Sequence, residues 1–145
     1  MLGVNILNIL VIDGQGGKIG SMVISLLKKV LPEQEIIAIG TNSIATSAML
    51  KAGADKGASG ENPVVVNTKK ADIIVGPLGI TVADSMLGEV TPKMAEAVGS
   101  STAQKLLIPT NNCNNIVLGT ESLSLNELVL IAVDRISKSV KEKSI

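Results

Sequence analysis

The residues best suited to chemistry stand together near the start of the chain: Asp13-Gly14-Gln15-Gly16-Gly17-Lys18-Ile19-Gly20. The apolar run Ile9-Leu10-Val11-Ile12 before them reads as a buried strand, and Met22-Val23-Ile24-Ser25-Leu26-Leu27 after them reads as a helix. A strand, a glycine-rich turn and a helix start make a place for a phosphate. The turn lets backbone approach the ligand, and the first helical N–H groups face it at the positive end of the helix dipole. The chemistry implied is recognition of a nucleotide or another phosphorylated ligand. The competing reading is a tight turn that needs glycine only for its backbone angles.

Gly14 and Gly16 match the first two positions of G-x-G-x-x-G, but Ile19 occupies the third. The looser spacing Gly14, Gly17, Gly20 matches the form used by many reductases. The loop is not a Walker motif, because Gly17-Lys18 is followed by Ile19 and Ile12 stands at the first glycine position. Asp13 is awkward beside a pyrophosphate, since like charges repel unless a cation or donor intervenes. It therefore organises the loop or faces a second ligand. The acid that commonly ends the second strand and holds a ribose is missing, and Gly40-Thr41-Asn42-Ser43 stands there instead. Neutral groups at that place accept a ribose or tolerate a 2′-phosphate. NAD or NADP is the expected cofactor.

Further candidates are readable in two ways. Thr41 and Asn42 are helix caps or ligand contacts. Gly76 and Pro77, in Gly76-Pro77-Leu78-Gly79, form a turn or a ligand wall. Asn111 lies in Thr110-Asn111-Asn112-Cys113-Asn114-Asn115, whose amides suit turns as well as ligands. Cys113 as a nucleophile would need Lys18 or a helix start to lower its pKa. Asp84 is a base only if residues 80–90 fold over the site. Lys69 and Lys70 read as a solvated face. No catalytic residue and no metal site is assigned.

Composition narrows the classes. The 145 residues contain no Phe, Tyr, Trp or His. Without aromatic rings there is nothing to stack on bases, and Lys plus Arg equals Asp plus Glu at 13 each, so nucleic acid is not an expected partner. Without His, the commonest general base and metal ligand is gone. Cys113 is the single cysteine, so it makes no internal disulfide and fits a reducing cytoplasm. No apolar run approaches the ~20 residues of a membrane span, and no basic residue precedes Lys18, so neither membrane insertion nor a signal peptide is expected.

The elements that must position the loop alternate along the chain. Strands are expected over 7–13, 35–40, 64–66, 72–76 and 105–109, with a sixth over 116–119. Helices are expected over 17–31, from Ile44 to Ala52, and from Thr91-Pro92 onward. Residues 54–63 read as a loop, and 80–90 as either a helix or an irregular segment. Ser124-Leu125-Asn126-Glu127 is a capping box, followed by Leu125, Leu128, Val129, Ala132, Val133 and Ile136 on one helical face. This order predicts a single α/β domain over residues 1–145: a three-layer, Rossmann-like fold whose mostly parallel sheet of 5–6 strands carries helices on both faces. Ligands bind outside the carboxyl ends of such strands. The first helix is apolar nearly all round, and Leu130 and Ile131 lie off the last helix's main stripe. That excess apolar surface predicts a homo-oligomer, most simply a dimer.

Several stretches together resemble a known family. They are Val11-Ile12-Asp13-Gly14-Gln15-Gly16-Gly17, Gly40-Thr41-Asn42 with Ile44-Ala45-Thr46 and Ala48-Met49, and Gly76-Pro77-Leu78-Gly79. Gly88-Glu89-Val90-Thr91-Pro92 with Met94-Ala95, and Ile108-Pro109 leading to Cys113, complete the set. The chain resembles small bacterial proteins catalogued only as a domain of unknown function. The resemblance implies a stand-alone, Rossmann-like, cytoplasmic protein and transfers no role to any residue. The glycine loop alone is also similar to that of the γ subunits of 2-oxoacid:ferredoxin oxidoreductases.

Three functions follow. The first is a module that binds or senses a nucleotide-type ligand. The second is a small nucleotide-dependent reductase or other enzyme, with Lys18, Cys113, Asp13 or Asp84 as proton donor, since the Tyr–Lys pair of short-chain reductases is impossible without Tyr. The third is a structural, partner-binding subunit without a ligand.

Overall fold

The computed structural model describes residues 6–110 and 114–143. Five strands alternate with helices: β1 (Ile9–Asp13), α1 (Lys18–Val30), β2 (Ile36–Gly40), α2 (Ser43–Lys51), β3 (Lys56–Ser59), α3 (Glu61–Thr68), β4 (Ile73–Pro77), α4 (Pro92–Ser100), β5 (Gln104–Ile108) and α5 (Leu125–Lys143). All pairings are parallel, in the order β3-β2-β1-β4-β5. β1 is central, so its whole length is buried and its residues are apolar up to Asp13.

Alternation along β1 assigns the two faces. Ile9 and Val11 pack with Val23, Ile24 and Leu27 of α1, Ala45 and Met49 of α2, and Val129, Val133 and Ile136 of α5. Leu10 and Ile12 pack on the other face with Val64 of α3 and Met94, Ala95 and Val98 of α4. This is the expected three-layer, Rossmann-like α/β fold, with a wholly parallel sheet of five strands.

Three sequence expectations are corrected. Val64-Val65-Val66 is not a strand but lies in α3, where only Val64 faces the core. The third strand is instead Lys56–Ser59, inside the stretch read as a loop. This strand is short, mostly exposed and at the sheet edge, so it carries no apolar signature. Topology overrides the β-branched run: joining β3 to a parallel β4 on the far side of β1 requires a helical crossover. Pro63 is tolerated in the first turn of that helix, where N–H groups lack intrahelical acceptors. The expected sixth strand, 116–119, is coil and turn, with Ile116 81% and Leu118 84% exposed. The helix that follows, α5, packs beside α1.

The caps agree with the sequence. Asn42 accepts the Ala45 N–H at the start of α2, and Thr91 accepts the Met94 N–H at the start of α4. Ser124 and Glu127 exchange the two bonds of a capping box ahead of α5. The segment 80–90 is irregular. It opens on a 3-10 turn, Leu78–Thr81, and continues as turns.

Candidate functional site

Strand order reverses between β1 and β4, which opens a crevice at their carboxyl ends. The loop from β1 to α1 floors it. Gly17 caps α1 in the left-handed region at φ 73°, with no side-chain cap and no acid in the first turn. The missing cap comes from the end of β1. One Asp13 oxygen accepts the Gly20 N–H at 2.7 Å, and the other accepts the Gly14 N–H at 2.7 Å. Burial pushes the Asp13 carboxyl above its ordinary value, against hydrogen bonds from the Gly20, Gly14 and Ile19 N–H groups, while the nearby Glu89 charge pushes it further up. Asp13 therefore does at the helix start what a bound anion does in a dinucleotide fold.

Glycine is required here at particular atoms. A Cβ on Gly17 would stand 2.9 Å from the Ala45 carbonyl oxygen, because α1 and α2 approach closely, and one on Gly20 would stand 3.0 Å from the Asp13 Cβ. Gly16 differs, with nothing within 4 Å of its Cβ position. Among the described residues, the N–H groups of Gly16 and Lys18 meet no acceptor.

Asp13, Gly14, Gln15, Gly16, Gly17, Lys18 and Ile19 all line one cavity of about 520 Å³. Its far wall is the segment before α5, which supplies Ile116, Val117 and Leu123 beside Asn115, Thr120 and Glu121, together with Leu125 and Leu128 of the first turn of α5. One side of the cavity is thus backbone with Asp13 and Lys18, and the other sets aliphatic side chains beside Asn115, Thr120 and Glu121. A second space of about 80 Å³ lies in the β1–β4 crevice, lined by Asp13, Gln15, Ile19, Pro77, Gly79, Ser85, Met86 and Thr110.

Thr41 and Asn42 do not line the larger cavity; they meet Glu89, which stands within the family resemblance but carries no role there. Glu89 Oε1 accepts from the Gln15 N–H at 2.8 Å, from Thr41 Oγ1 at 2.7 Å and from Asn42 Nδ2 at 2.7 Å. Burial pushes the Glu89 carboxyl up, but these three bonds outweigh it and hold it below its ordinary value. The acid absent from the end of β2 thus arrives from residue 89. No local motif signals it, since the contact joins residues 74 positions apart.

The remaining candidates separate. Gly76 is buried inside β4, where a Cβ would run into the Ile12 carbonyl oxygen, so its small size serves strand packing. Pro77 lines the smaller space. Asn111 and Cys113 lie outside the described residues. Asp84 is exposed in the turn and lines neither space, and Lys69 and Lys70 are exposed as expected. Beyond Glu89, the sequence reading missed Ser85, Met86 and the aliphatic crossover wall. Among the described residues, no three His, Cys, Asp or Glu side chains gather as metal ligands.

The chain belongs to the family described as "Domain of unknown function (DUF3842)", whose model matches residues 8–141. No curated protein matches it. Among solved structures it is similar to the dodecameric FMN-dependent Ubix-like decarboxylase from Escherichia coli O157:H7, with a TM-score of 0.52 and 13% identity over 94% of this chain and 96% of that one. At that identity the likeness is one of fold.

Proposed function

We propose that this protein binds a phosphorylated, nucleotide-type ligand in the cavity between the glycine loop and the β5–α5 crossover. The carrying observation is that, among the described residues, the N–H groups of Gly16 and Lys18 meet no acceptor beside a cavity of about 520 Å³, while Asp13 and Glu89 occupy those of Gly14, Ile19, Gly20 and Gln15. That volume lies within the ~300–1,000 Å³ range of small-molecule sites. A phosphate fits the helix start and the Lys18 side, and an apolar ring system fits the wall of Ile116, Val117, Leu123, Leu125 and Leu128.

This division suits a mononucleotide carrying a planar apolar ring, and the similar decarboxylase is described as FMN-dependent. FMN is therefore the ligand proposed, in place of the NAD or NADP expected from the sequence. A binding module is favoured over an enzyme because both Asp13 oxygens are committed to backbone N–H groups. The protein self-associates in this reading, through the apolar groove between α1 and α5 that Met22, Leu26, Val129 and Leu130 line. Among the described residues no helix is long and apolar enough to cross a membrane. The single thiol, Cys113, supports a reducing cytoplasm as its compartment.

With no Trp or Tyr, a dye-based thermal shift is the practical test. A ligand at ~100 times its Kd stabilises by about 2.7 kcal/mol, or roughly 5–10 °C for a domain this size. FMN is expected to give that shift and Gly16→Val to remove it. No shift with FMN, NAD, NADP or ATP overturns the reading.

A further inference from the structure

We propose that Glu89 is the specificity-determining residue of the crevice: its carboxylate fills a latent phosphate site at the β1–β2 junction and so excludes a second nucleotide half. This rests on the reading of the strand ends as a nucleotide site. Three donors from separate elements converge on one oxygen: the Gln15 N–H of the glycine loop, the Thr41 hydroxyl after β2 and the Asn42 amide at the cap of α2. Three convergent donors make an anion site, and here the anion belongs to the chain itself.

The segment carrying Glu89 covers the ground a dinucleotide would cross. A Cβ on Gly14 would stand 2.5 Å from Thr41 Oγ1, 2.6 Å from Met86 Sδ and 3.0 Å from Glu89 Oε1. The first glycine of the loop, at the tight-turn position, therefore faces protein atoms on the β2 side, whereas Gly16, the second, stays open. The turn holds an unusual backbone to do this, with positive φ at Asp84 (65°), Met86 (57°), Leu87 (57°) and Gly88 (90°). Left-handed Met and Leu are each unfavourable. Contacts such as Asp84 N–H to the Val90 carbonyl and the Glu89 bonds over-determine the turn.

Removing the carboxylate takes its acceptor from the Gln15 N–H and the Thr41 hydroxyl and leaves the Asn42 amide only the Gln15 carbonyl, and a phosphomonoester restores the lost acceptor. A 2′-phosphate on a ribose at the end of β2 has that chemistry. The test is calorimetric titration of the full chain with NAD, NADP and FMN, for the wild type, Glu89→Ala and Glu89→Gln. The wild type is expected to reject both dinucleotides. Glu89→Ala is expected to bind NADP at least tenfold more tightly than the wild type does, and more tightly than it binds NAD. Glu89→Gln, which keeps an acceptor oxygen on the same three donors, is expected to behave as the wild type. Glu89→Ser carries the same test if circular dichroism shows that Glu89→Ala has lost its fold. Wild-type NADP binding equal to that of Glu89→Ala overturns the proposal. So does wild-type NAD binding that Glu89→Ala weakens tenfold, which would make Glu89 a ribose holder. FMN binding by a wild type whose Glu89→Ala variant ignores NADP removes only the role of Glu89. Loss of both signals removes the site reading itself.

Discussion

Gly20 gives its backbone N–H to the Asp13 carboxylate at 2.7 Å, so the last residue of β1 caps the helix that begins five positions later. The bond closes the strand–turn–helix unit on itself. It also accounts for an acid at a place where a phosphate-binding loop has no evident use for one.

Replacing that acid should therefore cost fold stability before anything else. Asp13→Ala leaves the Gly14, Ile19 and Gly20 N–H groups without their acceptor. Loss of charge-assisted bonds costs about 1.5–3 kcal/mol, or roughly 3–12 °C in Tm for this size of domain. Thermal denaturation checks it, and a Tm within 1–2 °C of wild type would remove the capping role.

The glycines of the loop should divide into structural and ligand-facing ones. Gly17→Ala combines a positive φ with a Cβ 2.9 Å from the Ala45 carbonyl oxygen, and should lose ~1–3 kcal/mol. Gly16→Ala meets nothing within 4 Å and should melt like the wild type. Comparing the two melting curves is sufficient. Equal losses would mean that the loop is only a turn.

Acid should weaken the Lys28–Asp55 pair, which closes at 2.8 Å and also takes the Ile36 N–H. The Lys28 bond holds Asp55 below its ordinary value of 3.8. A depressed folded pKa contributes stability above the unfolded value and loses it as pH falls through the folded one. Asp55→Asn should therefore melt below the wild type at pH 7, and the gap should close as pH falls below 3.8. Asp13, raised by burial, acts in the opposite sense, since its folded state favours the proton. Melting both proteins across pH 3–7 checks the sign, and a gap constant over that range counts against it.

Self-association should run through α5 and α1. Leu130 is 56% and Ile131 55% exposed, beside the groove that Met22 and Leu26 line. Light scattering at micromolar concentration should give a multiple of the 14.9 kDa chain mass, and a Leu130→Glu, Ile131→Glu double variant should halve it if the assembly is a dimer. A wild-type monomer would refute the surface's role.

The sequence by itself determined the α/β class, the central buried strand, the caps at Asn42, Thr91 and Ser124, and the glycine-rich turn between β1 and α1. These are local properties: apolar periodicity, cap chemistry and left-handed turns act within a few residues. Tertiary structure decided what pairing alone can decide. An edge strand of Lys56-Gly57-Ala58-Ser59 exists because β2 offers it a partner, and Val64-Val65-Val66 is helical because parallel strands need a crossover. Asp13 is a cap rather than a free acid because the turn brings the Gly20 N–H of α1 back to the end of β1. Glu89 reaches the donors of Gln15, Thr41 and Asn42 only once β4 lies beside β1 and carries the turn over the sheet's carboxyl edge. Contacts between residues far apart in the chain leave no periodic trace in it, so these were invisible until the strands were in order.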